Sequence, residues 1–355
     1  MQVYLLLFES FRNIEIIWRI QMKSSRADKN RTKLSEVIPI DTPYVFGFWT
    51  GDICNFKCKY CVHSLGENIY IKDKDIIPIM LEWNLFVHAA DSLKEFSRPI
   101  KKILFSSIGE PLLNKKLPEM IHYVKKIGVT NYCEVVTNAS LLTHDLSECL
   151  IDAGLDRLCV SIQGVSAKKY KEISNVDLDY DKLVEELGYF YKYSEGRCKV
   201  HIKTVDMALD EGEEDVFYAT FTPISDTINI DNVIEAFQDV DYSEMIDDKN
   251  KGLYGGVKNH RIVCPSVFYT MYMLPNGDIA TCCNAPYPVI LGNINNESIF
   301  SMWNAKTRLN FLRMQLDGKR MLHAVCKKCV LPDTVDFQED DLDEDRCNIL
   351  KRFKQ

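Results

Sequence analysis

Three cysteines in one short loop constrain the fold of this chain more than any other feature. Cys54, Cys58 and Cys61 have the spacing C-x3-C-x2-C, and they follow the apolar stretch Tyr44–Thr50, which predicts a buried strand. Three thiolates this close in sequence do not complete a tetrahedral zinc site without a distant fourth ligand. They can hold three irons of a cubane [4Fe–4S] cluster and leave the fourth iron open to a ligand. A loop at the carboxyl end of a first barrel strand is a position where catalytic groups are found.

Apolar runs alternate with amphipathic stretches from about residue 44 to residue 231. The predicted strands are Tyr44–Gly51, Lys102–Ser107, Cys133–Thr137, Arg157–Ile162, Val200–Val205 and Thr227–Ile230. The helical stretches between them include Ile76–Leu93, Lys116–Ile127, His144–Ala153 and Tyr180–Tyr193. This alternation predicts βαβ units on a parallel sheet, and therefore an α/β fold. Taken alone, it fits a partial barrel and an open doubly wound sheet equally well.

Composition narrows the class of protein. The chain has 355 residues, of which 46% are hydrophobic, so a sizeable core is available. Its net charge of −8 argues against a nucleic-acid-binding surface, which is usually basic. Thirteen cysteines without a credible signal peptide, several of them in C-x2-C spacing, predict metal ligands in a reducing cytoplasm and not disulfides.

The N-terminal segment has a short apolar start and a basic continuation. Val3–Phe8 is too short to span a bilayer, which takes about 20 apolar residues. The stretch from Arg19 to Lys33 is rich in Lys and Arg. We expect a surface helix followed by a solvated basic linker and no stable membrane span. Weak attachment to a membrane surface is the alternative.

The cysteine loop resembles the C-x3-C-x-φ-C signature of radical S-adenosylmethionine (SAM) enzymes, with Tyr60 at the aromatic position. In that family the open iron binds SAM. One electron from the cluster cleaves SAM to methionine and a 5′-deoxyadenosyl radical, which removes a hydrogen atom from a substrate. The resemblance implies a partial (β/α)6 TIM-type barrel. A zinc knuckle or a run of unrelated core thiols is the alternative interpretation of the same cysteines.

Two further patterns resemble SAM-contacting positions of the family. The run Ser106-Ser-Ile-Gly109-Glu110-Pro111 resembles its Gly-Gly-Glu-Pro motif, which offers hydrogen-bond acceptors to the amino group of SAM, although Ile108 replaces the first Gly. Asn138 and Ser161, at the ends of the third and fourth strands, resemble positions that contact the ribose and carboxylate of SAM. As an alternative, these side chains cap the following helices.

Two other polar residues are weaker candidates. Gln163 stands where many relatives have Asp, which puts its role in doubt. Lys203 lies on the fifth strand, where its side chain either lines the barrel or faces solvent. If it lines the barrel, it is placed to bind the SAM carboxylate or to act on the substrate.

The C-terminal region carries a second set of cysteines. Its pattern is a lone cysteine, then Gly277-x4-Cys within a predicted hairpin, then a helical stretch Ser298–Leu316 and C-x2-C. This resembles the SPASM/twitch extension of radical SAM enzymes and implies one auxiliary [4Fe–4S] cluster, with a zinc ribbon as the alternative. The implied ligands are Cys264, Cys282, Cys326 and Cys329. Cys283 is the alternative to Cys282 as a ligand, although the spacing from Gly277 favours Cys282, and Cys347 is left over.

These observations predict a division of the chain into five parts. They are an N-terminal extension (1–40), a radical SAM partial barrel (41–235), a linker (236–263), a small cysteine-rich twitch domain (264–335) and an acidic tail (336–355). The mostly acidic composition from Asp336 to Asp345 predicts that this stretch is solvated or disordered.

Three hypotheses for function follow. The first, implied by likeness to the 2-deoxy-scyllo-inosamine dehydrogenase type, is two-electron oxidation of a small polar metabolite such as an amino sugar, cyclitol or nucleotide sugar. The second is modification of a peptide or protein. The third is an iron–sulfur electron carrier without catalysis. Besides its substrate, the resemblance implies a reducing partner such as flavodoxin or ferredoxin. The residues that act directly on the substrate are not predicted.

Overall fold

A computed structural model describes residues 31–68, 78–106, 108–334 and 337–353 of the chain. The predictions made for the segment before residue 31 lie outside the described residues. The same holds for Ile76 and Ile77, with which one predicted helix begins, and for Ser107 at the end of a predicted strand.

Six parallel strands form the larger part of the sheet. They are β1 Val45–Trp49, β2 Lys102–Ser106, β3 Cys133–Thr137, β4 Arg157–Ser161, β5 Lys199–Val205 and β6 Thr227–Asp231. Each strand pairs with the next one in sequence, in the order β6-β5-β4-β3-β2-β1. A doubly wound sheet reverses its strand order at a switch point, and this one does not. The predicted α/β partial barrel is therefore confirmed. Each predicted strand begins and ends within two residues of the observed one.

Helices between the barrel strands cover one face of the sheet, and further helices lie before and after them in the chain. In chain order the helices are α1 Leu34–Val37, α2 Trp83–Ser92, α3 Leu117–Lys126, α4 His144–Asp152, α5 Ala167–Ser174, α6 Tyr180–Ser194, α7 Glu213–Phe221, α8 Ile299–Asn304, α9 Lys306–Leu316, α10 Leu331–Thr334 and α11 Arg346–Arg352. Helices α2 to α7 are the ones that follow β1 to β5. Phe46 and Phe48 of β1 point toward this layer, and the rings of Phe48 and Phe86 meet at 4.9 Å. Alternation along each strand then turns the intervening residues to the opposite, inner face.

The inner face of the barrel sheet carries charged side chains. Lys102 of β2 lies beside Glu134 of β3, with Nζ 3.4 Å from the carboxylate. Lys203 of β5 lies 3.1 Å from the carboxylate of Asp231 on β6. The face that packs against helices is apolar, as is usual for such a sheet. The charged side chains on the other face indicate that it borders a space suited to polar groups.

A C-terminal hairpin continues the same sheet. Strand β7, Thr270–Met273, pairs in parallel with β1, and β8 Asp278–Ala280 and β9 Ile290–Asn293 follow in antiparallel order. The predicted hairpin is confirmed, with Gly277 in its turn at φ 89°. Its attachment to the free edge of β1 was not predicted, and it makes the barrel and the cysteine-rich region parts of one nine-stranded sheet.

Two helix predictions need correction. The helix predicted from Ile76 begins only at Trp83, because Met80 is paired with Gly51 in an isolated bridge and Glu82 is extended. The single stretch predicted from Ser298 to Leu316 is two helices, since Ala305 between them has an extended backbone at φ −63° and ψ 142°.

The expectation of a solvated or disordered stretch from Asp336 to Asp345 is wrong for its described residues, 337–345. Leu342 and, beyond this stretch, Phe353 are buried in an apolar cluster that includes Leu34. Arg352 also donates hydrogen bonds to backbone carbonyls in the segment that carries α1. The acidic composition hid the apolar positions that fix the segment to the body of the protein. Within the described residues, no helix combines the length and the apolar content that crossing a membrane requires.

The junction between β1 and β7 generates a prediction. A methyl group on Gly47 would lie 2.2 Å from a ring carbon of Tyr272, whose ring packs on Trp49. We expect Gly47→Ala to destabilise the protein by about 1–3 kcal/mol, because overpacking displaces an aromatic side chain. The measurement is chemical denaturation of the metal-free protein.

Gly188 in α6 is the matched control. A methyl group there would have its nearest neighbour, Ile224, at an ordinary 3.8 Å. Gly188→Ala should be neutral or stabilising by up to about 1 kcal/mol. Equal stability of the Gly47→Ala variant and the parent would contradict the close approach of β7 to β1.

Candidate functional site

The first cysteine loop lies at the carboxyl end of β1 and is tied to helix α5. The backbone N–H of Lys57 donates to the carbonyl of Ser174 at 2.9 Å, and that of Lys59 donates to the carbonyl of Ile173 at 2.8 Å. These bonds fix the loop independently of any metal. Cys54, Cys58 and Cys61 are all free thiols and partly accessible.

The surroundings of these thiols favour their protonated form. Burial raises the pKa of Cys54 to about 12, while the backbone N–H of Phe56, 3.4 Å from its sulfur, opposes the rise. Burial also raises the pKa values of Cys58 and Cys61, and the Cys58 sulfur lies 3.2 Å from the hydroxyl of Ser174. Metal binding removes the thiol protons, so the loop is suited to a group that supplies positive charge.

Gly109 packs directly against the start of the cysteine loop. The N–H of Glu110 donates to the carbonyl of Ile53 at 2.9 Å. A methyl group on Gly109 would lie 2.3 Å from that carbonyl oxygen and 2.7 Å from the carbonyl oxygen of Gly51. Only glycine allows this approach. The turn that contains Gly109 is therefore in backbone contact with the segment that carries Cys54.

The carboxylate of Glu110 is buried and fully used by the protein. It accepts hydrogen bonds from the N–H of Leu112 at 2.9 Å, the N–H of Asn138 at 2.8 Å and the hydroxyl of Thr137. Burial raises its pKa to about 7, and these three bonds oppose the rise. The carboxylate thus joins the turn after β2 to the end of β3, and Pro111 begins the short 3-10 helix that follows.

Asn138 does not cap the next helix, which begins at a cap formed by Thr143. Its amide nitrogen donates to the side chain of Asn55 at 2.9 Å, inside the first cysteine loop. Its amide oxygen accepts from the backbone N–H of Ser140 at 2.9 Å. Asn138 therefore links the end of β3 to the cysteine loop. Asn55 was missed in the sequence because a single polar loop residue carries no pattern.

Tyr60, Gln163 and Ser161 form a chain of hydrogen bonds across the mouth of the barrel. The hydroxyl of Tyr60 donates to the amide oxygen of Gln163, whose nitrogen donates to the carbonyl of Ser161 at 3.2 Å. The carbonyl of Tyr60 also accepts from the hydroxyl of Tyr242 at 2.9 Å. Tyr242 belongs to the segment predicted as a linker, so that segment packs over the cysteine loop.

Lys203 lies on the inner face and not on a solvent-exposed strand face. Its ammonium group is paired with Asp231, which is only 3% exposed. Asp231 also accepts a hydrogen bond from the side chain of Asn229 at 2.6 Å. His201, on the same strand, is buried and lies 2.7 Å from the hydroxyl of Thr227. The inner face of β5 and β6 is therefore a polar surface whose side chains are hydrogen-bonded to one another.

The four C-terminal cysteines that the sequence analysis named as candidate ligands line one small cavity. Cys264, Cys282, Cys326 and Cys329 surround a space of about 30 Å³. Gln315, which is fully buried, contacts two of them: it accepts from the N–H of Cys264 at 3.2 Å and lies 3.7 Å from the sulfur of Cys326. Its role was missed in the sequence because a polar residue in a helix reads as solvent-exposed.

A larger cavity of about 320 Å³ connects these thiols to the barrel. Val45 and Lys102, the first residues of β1 and β2, line it together with Cys282 and Cys283. The cavity therefore opens at the amino ends of the strands, whereas the first cysteine loop follows the carboxyl end of β1. The two cysteine sets lie at opposite ends of the inner face.

The C-terminal donor set consists of four thiols. Because Cys264, Cys282, Cys326 and Cys329 line one small cavity, they can hold either a zinc ion or an iron–sulfur cluster. Across the part of the chain that the structure describes, no group of three or more His, Cys, Asp or Glu side chains is already placed to hold one metal ion.

Comparisons with known protein families match both halves of the chain. Residues 50–219 match the radical SAM superfamily, and residues 264–330 match SPASM, an iron–sulfur cluster-binding domain. The first match spans the cysteine loop at the end of β1, and the second spans the four cysteines around the small cavity.

Among curated proteins, the chain is similar to probable GTP 3′,8-cyclases. It is 32% identical to the protein of Methanococcus vannielii over 168 residues, which are 46% of this chain and 51% of the relative. It is 32% identical to a protein of Saccharolobus islandicus over 136 residues, 38% of this chain and 39% of the relative. The match thus spans about half the length of these relatives or less.

Among solved structures, three complexes share the fold. BtrN with AdoMet and 2-DOIA has 16% identity and a TM-score of 0.52, and the match covers 83% of this chain and 97% of BtrN. Streptococcus suis SuiB with S-adenosylmethionine has 13% identity and a TM-score of 0.57, with 85% and 74% of the two chains covered. The complex of anSMEcpe with AdoMet has 14% identity and a TM-score of 0.58, with 88% and 96% covered. These structures, all under 25% identical to this chain, show a shared fold. The two family matches show that this chain is a radical SAM enzyme with a SPASM domain, a combination that uses [4Fe–4S] clusters and SAM as cofactors.

Proposed function

We propose that this enzyme oxidises a small polar metabolite, such as an amino sugar, a cyclitol or a nucleotide sugar, by two electrons. The observation that carries the proposal is the cavity of about 320 Å³ in which inner-face residues of β1 and β2 meet the C-terminal thiols. It connects the inner face of the barrel to the C-terminal thiols, so that an electron acceptor held by these thiols faces the substrate space from the side opposite SAM.

The first part of the proposal assigns the SAM-binding site. Cys54, Cys58 and Cys61 are its cluster ligands, since they follow β1 and adjoin the turn that carries Gly109. Gly109 brings backbone close to the cluster loop, while Glu110 and Pro111 hold the turn in shape. Tyr60, Asn138 and Ser161 complete the cofactor-binding set at the ends of β1, β3 and β4.

The second part assigns the auxiliary cluster to Cys264, Cys282, Cys326 and Cys329. Support comes from the cavity that these four thiols share. Gln315 and Arg320 pack beside these thiols. Arg320 is fully buried, donates to the carbonyl of Cys329 at 3.2 Å and pairs with Asp333 at 2.8 Å. A buried cationic side chain beside a cluster favours its reduced state.

When bound, SAM and the first cluster supply the radical that removes a hydrogen atom, and the auxiliary cluster accepts one electron. The electron balance then fits oxidation of a carbinol. Loss of the carbon-bound hydrogen leaves a carbon radical next to the hydroxyl oxygen. Loss of the hydroxyl proton and one further electron gives a ketone.

The inner face supports a polar substrate. Its ion pairs, Lys102 with Glu134 and Lys203 with Asp231, place charged donors and acceptors along the strands. Such groups match hydroxyl, amino or phosphate groups of a ligand, and an apolar ligand would leave them unsolvated. The relatives are named as GTP 3′,8-cyclases, and GTP is itself a small polar metabolite with phosphate groups.

Modification of a peptide is the second candidate. SuiB bound to the precursor peptide SuiA shares the fold at a TM-score of 0.56 and 14% identity, and so does anSMEcpe with the Cp18Cys peptide at 0.55 and 15%. The third hypothesis, an electron carrier without catalysis, is wrong because the chain belongs to an enzyme family. A flavodoxin or ferredoxin as reductant and a cytoplasmic location stay predictions.

A crossed set of cysteine variants tests the two assignments. Replacing Cys54, Cys58 and Cys61 with Ala should abolish formation of 5′-deoxyadenosine with dithionite as reductant, because the SAM-binding cluster is lost. Replacing Cys326 and Cys329 with Ala should retain it and abolish oxidised product. The reconstituted parent should hold about eight irons per chain, as two four-iron clusters require, and each variant about four.

The control removes two exposed thiols, Cys149 and Cys347, which belong to neither set. This Cys149→Ala, Cys347→Ala variant should keep all iron and both activities. The assignment fails if the triple variant still cleaves SAM. The electron-acceptor role fails if the folded Cys326→Ala, Cys329→Ala variant forms product at the parent rate.

A substrate screen tests the chemical class. Under anaerobic conditions, amino sugars, cyclitols and nucleotide sugars should stimulate 5′-deoxyadenosine formation and yield a product lighter by two mass units in mass spectrometry. Cysteine- and serine-containing peptides serve as the comparison set. Stimulation by peptides alone would replace the metabolite proposal with the peptide-modifying one.

A further inference from the structure

We infer that His63 is a positioning residue that sets the SAM-binding turn Ile108–Pro111 against the cluster loop. The inference rests on the proposed SAM site and adds to it a residue outside the cysteine signature and outside the Gly-Glu-Pro run. His63 lies two residues beyond Cys61, in the 3-10 segment Val62–Asn68.

The contact is a buried hydrogen bond. His63 is 7% exposed, and its Nε2 lies 3.1 Å from the backbone carbonyl oxygen of Ile108. A carbonyl oxygen only accepts hydrogen bonds, so Nε2 must carry the proton and donate it. The imidazole therefore holds the carbonyl that directly precedes Gly109 in one orientation.

A second bond holds the turn from the other side. The carbonyl of Ile53 accepts from the N–H of Glu110 at 2.9 Å. Ile53 precedes the first cysteine of the loop and His63 follows the last, so both ends of one loop hold the two residues that flank Gly109. The loop that carries the cluster ligands thereby fixes the backbone of the turn before any ligand is present.

This arrangement accounts for Ile108, which stands where the family motif has its first Gly. The backbone of a turn with two glycines can adopt many conformations, and ligand binding must then fix one of them. Here an Ile side chain packs in an apolar cluster and His63 fixes the adjoining carbonyl. A carbonyl oxygen has two lone pairs, so one stays available for a donor such as an ammonium group. Preorganisation of this kind raises affinity by lowering the entropy lost on binding.

The test compares His63→Leu with the parent. We expect the dissociation constant for SAM, measured by equilibrium binding to the reconstituted protein, to rise about tenfold, as loss of one buried hydrogen bond predicts. Cleavage of SAM at saturation should change much less than its KM. In the metal-free protein, hydrogen exchange at the amides of Gly109 and Glu110 should be faster. His63→Gln keeps a donor and should restore affinity.

Thr130→Val is the matched control. Thr130 is also buried and also donates to a backbone carbonyl, that of Ile100 at 2.8 Å, but at the amino end of the strands. This variant should lose stability without losing SAM affinity. If His63→Leu does not fold, His63→Asn takes its place, because its amide is too short to reach Ile108.

Parent-like SAM affinity in the folded His63→Leu or His63→Asn variant would overturn the inference, as would equal loss of affinity in Thr130→Val. Failure of the SAM site itself has a different signature. In that case the parent shows no change in the EPR signal of its first cluster when SAM is added. A parent that responds to SAM and a His63 variant that responds equally contradict the inference alone.

Discussion

The rest of the structure depends on the double pairing of strand β1. One edge of β1 pairs with β2 and opens the barrel, and the other pairs with β7 and begins the cysteine-rich region. Gly47 leaves room for Tyr272 at this junction, so the two regions share one unbroken hydrogen-bonded sheet. The first cysteine loop, at the carboxyl end of β1, and the second cysteine set, which borders the amino ends of the strands, are therefore held by the same rigid element.

At the carboxyl end of the strands, backbone contacts do most of the positioning. The carboxylate of Glu110 accepts a hydrogen bond from the backbone N–H of Asn138 at the end of β3. The side chain of Asn138 in turn donates to the cysteine loop. Family resemblance implies a part in cofactor binding for these residues. In the structure, their side chains make hydrogen bonds that join the turn after β2, the end of β3 and the cysteine loop.

Strands and cysteine sets were predictable because each leaves a local signal. A short run with the β-branched residues Val135, Val136 and Thr137 marks β3, and fixed spacing marks the thiols. Long-range partners leave no such signal. The pairing of β7 with β1, the burial of Gln315 beside Cys264 and the packing of Phe353 each depend on residues far apart in sequence. The acidic tail was misjudged for the same reason, since composition reports average polarity and not which face is covered.

The paired charges of the inner face have a consequence for how this barrel can change its chemistry over evolution. In the two pairs described, Lys102 with Glu134 and Lys203 with Asp231, each ammonium group has a carboxylate within 3.4 Å. Exchanging the members of one pair, or replacing both by uncharged residues, alters the local pattern of donors and acceptors without leaving a buried charge alone. Selectivity can therefore drift pair by pair while the frame that carries the two metal centres stays unchanged.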